Sequence, residues 1–332
     1  MAFGVLVFAA AQTPPGRQLL GTQPRGATPV PSYPTTHAAP PAHTTASGAF
    51  LGSDARGVQQ IPEFDQWRGG RTSMVGHTYL PGGSWSDIEG PDYILLPWTA
   101  WRSADPQRLL VLNVPMSDRN EDGLSNEEVA SGLKAGAGGA NDGHYATLAR
   151  RLVADGAGDT IIVLGWEMNG DTYSGRCGPD PAAWKAYWQR IVSAMRSVPG
   201  ASFRFDFTPS RGEDDVPWPE CYPGDDVVDI IGMDTYDQEP GDTFQEFINQ
   251  PYGLKFHVEF AAAHGKPLSY PEWGLFRQGD DPAYVEGMHD WIAQHDVVYE
   301  TISDYCPHGV WQCSQNPQSS AKYQELFGRP TS

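Results

Sequence analysis

Thr160-Ile161-Ile162-Val163-Leu164-Gly165-Trp166-Glu167-Met168-Asn169-Gly170 is the stretch from which the fold is read. Ile161 to Gly165 are too apolar for anything but a buried strand, and they run straight into the polar Glu167 and Asn169. A carboxylate at the end of a buried strand costs several kcal/mol to desolvate unless it is paired or hydrogen-bonded. Glu167 is therefore either a working acid or a structural one that caps the following helix. A second carboxylate in an equivalent position would decide between the two.

Short apolar runs of the same kind recur outward from this stretch. They predict strands at Gly48–Gly52, Thr72–Tyr79, Leu109–Met116, Thr160–Trp166, Ser202–Phe207, Val227–Asp234, Pro267–Tyr270 and Val297–Ser303. Amphipathic segments between them predict helices at His144–Ala154, Pro181–Val198, Phe256–His264, Pro282–His295 and Ala321–Phe327. Asp180 before Pro181 is a cap followed by a first-turn proline, and Gly265 is placed to end the helix before it. Eight strands, most followed by a helix, is the arithmetic of a (β/α)8 TIM barrel, here expected over residues 47–332 as a single domain. A doubly wound sheet shows the same alternation, but it opens with a Gly-rich phosphate turn, and Gly52-Ser53-Asp54 is not one.

Residues 12–46 are rich in Pro, Thr and Ala and carry few large apolar side chains, which predicts a disordered linker. Phe3 to Ala11 resembles the apolar core and cleavage region of a signal peptide, although no Lys or Arg precedes it. It is too short to cross a bilayer. With 22 basic against 41 acidic residues the net charge is −19, which argues against a nucleic-acid or anionic-membrane surface and fits a neutral partner. The 11 Trp, 14 Tyr and 13 Phe serve equally as core or as a groove that stacks sugar rings. The four cysteines lack the paired spacing of a zinc site and read as two disulfides formed in an oxidising, extracellular compartment. Proximity pairs Cys306 with Cys313, leaving Cys177 for Cys221 if their loops are neighbours.

In a barrel the chemistry sits at the C-terminal ends of the strands. The fourth expected strand ends at Trp166-Glu167-Met168-Asn169-Gly170, the sixth at Met233-Asp234-Thr235-Tyr236 and the seventh at Pro271-Glu272-Trp273-Gly274. Strands four and seven lie almost opposite across the mouth, so Glu167 and Glu272 would face each other. Two facing carboxylates are the minimum equipment for glycosidic hydrolysis. These motifs, with Val228-Asp229-Ile230-Ile231-Gly232 leading into the sixth, resemble glycoside hydrolase family 26, a family of β-mannanases and related retaining β-glycanases on (β/α)8 barrels. The resemblance implies that Glu167 is the acid/base, that Glu272 is the nucleophile and that Tyr236 bonds or adjoins Glu272. It also implies a polysaccharide substrate, no cofactor and no metal, and a secreted, monomeric enzyme.

Two features depart from the family pattern. One is the aromatic cluster that usually follows the motif, replaced here by Asp171-Thr172-Tyr173-Ser174-Gly175-Arg176-Cys177; the other lies in the motif itself. The family usually has His-Glu-Met-Asn-Gly, and here Trp166 stands in place of the His. An indole N–H donates one hydrogen bond but neither accepts nor titrates, so the sugar site is expected to be altered. Mannan, β-1,3-xylan, mixed-linkage glucan and a bacterial exopolysaccharide all stay open, as does a carbohydrate-binding barrel without turnover. Substrate contacts are expected from Trp166, Asn169, Tyr236, Trp273, His77 and Asp234. Asn113 and Asp206 are either sugar contacts or satisfied core residues, and Trp273 is favoured over Trp98, Trp101, Trp218 and Trp311 as a stacking platform because it adjoins Glu272. Asp118, Asn120 and Asp122 have the spacing of a calcium loop, but Val129 occupies the position where the loop needs its Glu.

Overall fold

The computed structural model describes residues 44–328; the signal-like run and most of the linker lie outside the described residues. Nine strands form one all-parallel sheet: β1 (Ala46–Phe50), β2 (Val75–Tyr79), β3 (Leu109–Val114), β4 (Ile161–Leu164), β5 (Arg204–Phe207), β6 (Ile230–Gly232), β7 (Thr235–Tyr236), β8 (Leu268–Gly274) and β9 (Val297–Ser303). Pairing runs from β1 through β6 in order, β1 also pairs with β9, β9 with β8, and β8 with β6, which closes the ring. The result is the expected (β/α)8 barrel, with β7 a short continuation after β6 that pairs with the upper half of β8.

The helices around it are α1 (Ala55–Trp67), α2 (Trp85–Ile88), α3 (Asp92–Ser103), α4 (Asn126–Ala137), α5 (Asp142–Ala154), α6 (Pro181–Arg196), α7 (Phe244–Asn249), α8 (Leu254–His264), α9 (Pro282–Gln294) and α10 (Pro317–Phe327). The Asp180 side chain caps α6 by accepting from the Ala183 N–H, and Gly265 ends α8 in the left-handed conformation. Sequence periodicity missed α1 to α4 and α7. Pro62 and Pro97 interrupt the reading of α1 and α3, while α4 is announced instead by its capping box, in which Ser125 and Glu128 bond each other's backbone.

Inward-facing positions change character along the strands. Val75, Val111, Ile161, Val163, Ile230 and Tyr299 fill the lower barrel with an apolar plug. Further along lie His77, Asn113, Asp206, Ser269 and Thr301, all buried and mutually bonded. Asp206 accepts from Thr208, Ser269 and Tyr299, and Gly232 leaves the room it needs: a Cβ there would come within 2.6 Å of Asp206 Oδ1. Beyond this belt lie Tyr79, Asp234, Tyr236, Glu272 and Ser303, all buried.

Both disulfides pair as expected, Cys177 with Cys221 and Cys306 with Cys313. The Asp118–Asp122 segment forms an Arg119–Asp122 ion pair, and Val129 is buried in α4. Among the described residues no cluster of three or more His, Cys, Asp or Glu could hold a metal ion, and no helix is long and apolar enough to cross a membrane.

Candidate active site

Glu167 follows β4 in a turn that the backbone holds tightly. Gly165 has φ +58°, and a Cβ there would strike Met116 Sδ at 2.6 Å. Glu167 itself has φ +49°, a left-handed conformation that a non-glycine residue adopts only when its surroundings impose it. Its N–H donates to the Thr208 carbonyl at 2.8 Å, and its carbonyl accepts from Gly170 N–H at 3.1 Å. The side chain is half-buried. Burial, then the Glu272 charge, then the Asp214 charge push its carboxyl up to about 8.

Glu272 enters from β8, inside the strand and not beyond its end. The register of β8 against β9 shifts between Tyr270 and Trp273, and this irregularity aims Glu272 inward. Tyr236 Oη donates to Glu272 Oε2 at 2.7 Å, Asn113 Nδ2 donates to Oε1 at 3.2 Å, and the Tyr79 hydroxyl donates to the same carboxylate. Burial raises the Glu272 carboxyl, while the three donors pull it down toward the ionised form. Tyr236 also shares a 2.8 Å hydrogen bond with Ser303 Oγ, which holds its hydroxyl in line. The two carboxyls therefore share one site and act on each other's charge, one with three donors on it and the other with a raised proton affinity.

Asp234 lies beside this pair, fully buried, and neither of its oxygens makes a well-formed hydrogen bond. Burial, Glu272, Glu167 and Asp206 hold it well above the ordinary carboxylate range, so its neutral form is favoured. With its oxygens sealed from solvent, it shapes the field of the site without offering a surface to a ligand.

Three further residues expected to touch the substrate have their side chains engaged within the protein. His77 spends Nδ1 on Thr301 Oγ1 and Nε2 on Asn113 Oδ1, each at 2.8 Å, and burial lowers it to about 4, so it is a neutral core residue that orients Asn113. Asn169 is fully buried, accepts from Ser210 N–H at 2.9 Å and donates to the Ser210 carbonyl at 3.1 Å, clamping the loop after β5 onto the Glu167 turn. Trp273 points away from the barrel mouth: its indole donates to Glu300 at 2.7 Å and its ring packs on Tyr284, Tyr323 and Phe327. Trp98, Trp101 and Trp218 are likewise buried, and Trp311 packs on Phe64 and Trp67.

Sequence reasoning missed Tyr79, Tyr173, Tyr305 and Asp214. The alternation 75, 77, 79 along β2 contained the signal for Tyr79, which stands one inward position beyond His77. Trp166 is buried between Tyr79, 5.7 Å away ring to ring, and Tyr173 at 5.1 Å. Half-buried Tyr173 and Tyr305 both feel the charges of Glu167 and Glu272.

Residues 161–272, which carry both carboxylates, match the model of Glycosyl hydrolase family 26. That stretch, 112 of the 332 residues, makes the chain similar to glycosyl hydrolase family 26. Its fold is shared with a Bacillus subtilis mannanase, BCman, at 15% identity and a TM-score of 0.61, covering 85% of each chain. A family 26 β-mannanase from Bacteroides ovatus aligns at 18% identity and a TM-score of 0.57 over 81% of each chain. A modular endo-β-1,4-mannanase from Cellulomonas fimi aligns at 16% identity and a TM-score of 0.58, over 85% of this chain and 76% of the other. At these identities the likeness establishes the barrel. No curated protein matches the chain in sequence.

Proposed function

We propose that this chain is a divergent member of glycosyl hydrolase family 26, a secreted, retaining endo-β-glycanase that hydrolyses a polysaccharide by double displacement, working as a monomer. The observation that carries this reading is the pair of glutamates in one buried site, Glu272 with three donors on its carboxylate and Glu167 raised by burial and by the Glu272 charge. A glycosidase needs that division of labour. Glu272, on which Tyr79, Tyr236 and Asn113 all converge as donors, is the nucleophile that attacks the anomeric carbon. Glu167, held protonated to about pH 8, gives its proton to the departing glycosidic oxygen. The glycosyl-enzyme ester neutralises Glu272, which lowers the proton affinity of Glu167 and prepares it to take a proton from the incoming water.

The names of the structural relatives make β-mannan the first polysaccharide to try, with β-1,3-xylan, mixed-linkage glucan and a bacterial exopolysaccharide next. Two disulfides support an extracellular location. The test is hydrolysis of a polysaccharide panel by wild type, Glu167→Ala and Glu272→Ala, with proton NMR of the first product. Retention of anomeric configuration and loss of turnover in both variants support the assignment, and an inverted first product refutes it. The second reading is a carbohydrate-binding barrel without turnover, favoured by Trp166 in place of the family His. It predicts binding of the panel sugar with no release by wild type.

A further inference from the structure

The loop after β9, from Asp304 to Asn316, is built around one buried ring, His308. The buried Asp304 carboxylate accepts from the Val310 and Trp311 N–H groups at 2.7 and 2.8 Å and from the Gln312 N–H at 3.1 Å. Asn316 Nδ2 donates to the carbonyls on either side of His308, those of Pro307 at 2.7 Å and Gly309 at 2.9 Å. The Cys306–Cys313 disulfide closes the loop. His308 itself is bonded twice to Leu275, directly after β8: its Nδ1–H donates to the Leu275 carbonyl at 2.7 Å, and its carbonyl accepts from the Leu275 N–H at 3.1 Å. Gly274 permits this approach, since a Cβ there would come within 2.9 Å of the His308 carbonyl oxygen. The His308 ring so held lies 4.6 Å from the Tyr236 ring, 4.8 Å from Phe276 and 5.0 Å from Tyr305.

A carbonyl only accepts, so Nδ1 of His308 carries the proton. Burial lowers the ring to about 4, so it is uncharged at neutral pH and acts on its neighbours by packing and not by charge. The neighbour that matters is Tyr236. Its hydroxyl donates to Glu272 Oε2 at 2.7 Å and shares a 2.8 Å bond with Ser303 Oγ, which fixes the oxygen end, while the ring behind it rests on His308. We propose, resting on the hydrolase reading above, that His308 is a positioning residue of the active site: anchored on Leu275, its ring holds Tyr236 in the orientation that keeps the phenol donating to Glu272. The loop after β9 then supports the nucleophile through two stacked layers of side chain, and Gly274, two residues beyond Glu272, is where the two meet.

The experiment splits the two functions of the ring. His308→Asn keeps an N–H near the place of Nδ1, and with it the bond to Leu275, but takes the ring away from Tyr236. His308→Phe keeps the ring and loses the bond. Each is made alone and together with Tyr236→Phe, and read as kcat/KM against pH on the best substrate of the panel. A second readout is the titration of the Glu272 carboxyl by carbon NMR of glutamate-labelled protein, assigned with Glu272→Gln. The other groups acting on Glu272, namely Tyr79, Asn113, Glu167, Asp234 and Tyr305, are unchanged by these substitutions. His308→Asn should lower kcat/KM about 3- to 10-fold, most on the acid side, and move both the acid limb and the Glu272 titration to higher pH. His308→Phe should stay within about twofold of wild type, and His308→Asn should add no further shift to Tyr236→Phe. His308→Leu, also without an aromatic ring, takes the place of His308→Asn where unfolding midpoints show the latter unfolded. A wild-type rate and titration in the ringless variant, a His308→Phe enzyme shifted as far as that variant, or shifts that add to those of Tyr236→Phe overturn the proposal. If wild type turns over no glycan, the hydrolase reading fails, and the Glu272 titration by itself still decides the positioning role.

Discussion

Tyr236→Phe tests the assignment of Glu272 most directly, because it deletes one oxygen and leaves the ring packed against His308 and Phe276. Wild-type Tyr236 donates to Glu272 Oε2 at 2.7 Å and is steered by Ser303 at 2.8 Å. A hydrogen bond to an ionised group is worth about 1.5–3 kcal/mol. At about 1.36 kcal/mol per factor of ten in rate, its loss lowers kcat/KM by roughly 10- to 150-fold where the nucleophile must be charged. Tyr79 and Asn113 remain on the carboxylate, which places the expected value toward the lower end. The sign of the pH effect follows from the same bond. Tyr236 stabilises the ionised form, so removing it raises the Glu272 carboxyl further, and the acid limb of the kcat/KM profile moves to higher pH. The deficit should therefore be largest on the acid side and shrink toward the optimum. A Tyr236→Phe enzyme with wild-type kcat/KM and an unmoved acid limb would refute the role given to Glu272.

Glu167→Gln should abolish turnover yet stabilise the fold above neutrality. Glu167 is raised to about 8 in the folded protein, so the wild type has full stability from this group below its ordinary value of 4.5 and loses it as pH rises through about 8. The Tm difference between variant and wild type should widen across that window, and a flat difference counts against the raised proton affinity. Gly165→Ala puts a side chain at φ +58° and a methyl 2.6 Å from Met116 Sδ, so it should cost about 1–3 kcal/mol in denaturant titrations and displace Glu167 enough to lower kcat at least tenfold. A Gly165→Ala enzyme of wild-type stability and rate would show that the turn does not hold the acid. Replacing Cys177 and Cys221 by Ser opens a 44-residue separation, worth about 4 kcal/mol in the chain-entropy picture, and should depress Tm by roughly 8–12 °C in calorimetry. The same change at Cys306 and Cys313, only 7 residues apart, should cost clearly less.

The barrel was legible because its strands are buried on both faces and therefore read as uninterrupted apolar runs, Ile161–Leu164 most clearly. Both glutamates were legible for the complementary reason: a charge abutting such a run has few structural explanations. Trp273 was misread through one physical oversight. Adjacent residues in a strand face opposite sides, and β8 extends to Gly274, so a Glu272 that points into the barrel sends Trp273 out toward α9 and α10. An expected strand end at Tyr270 hid that parity. His77 was misread by one step of the same alternation, since the inward position nearest the mouth on β2 is Tyr79.

The residues that were missed share a different cause. Tyr173 and Asp214 are not on strands, and their places are set by contacts that no local pattern announces. Asn169 clamps Ser210, the Val216 N–H donates to the Asn169 carbonyl, and Cys177 is joined to Cys221, so the loop after β5 is stapled across the loop after β4 at three points. That stapling brings the Asp214 charge to bear on Glu167. It separates two kinds of information in the chain. The two glutamates assigned to bond cleavage stand at strand ends, where a period of two and a run of apolar residues are enough to find them. Tyr173 and Asp214 stand on loops fixed by long-range bonds. Trp166 joins the two sets: it follows closely on β4, and its ring lies 5.1 Å from that of the loop residue Tyr173.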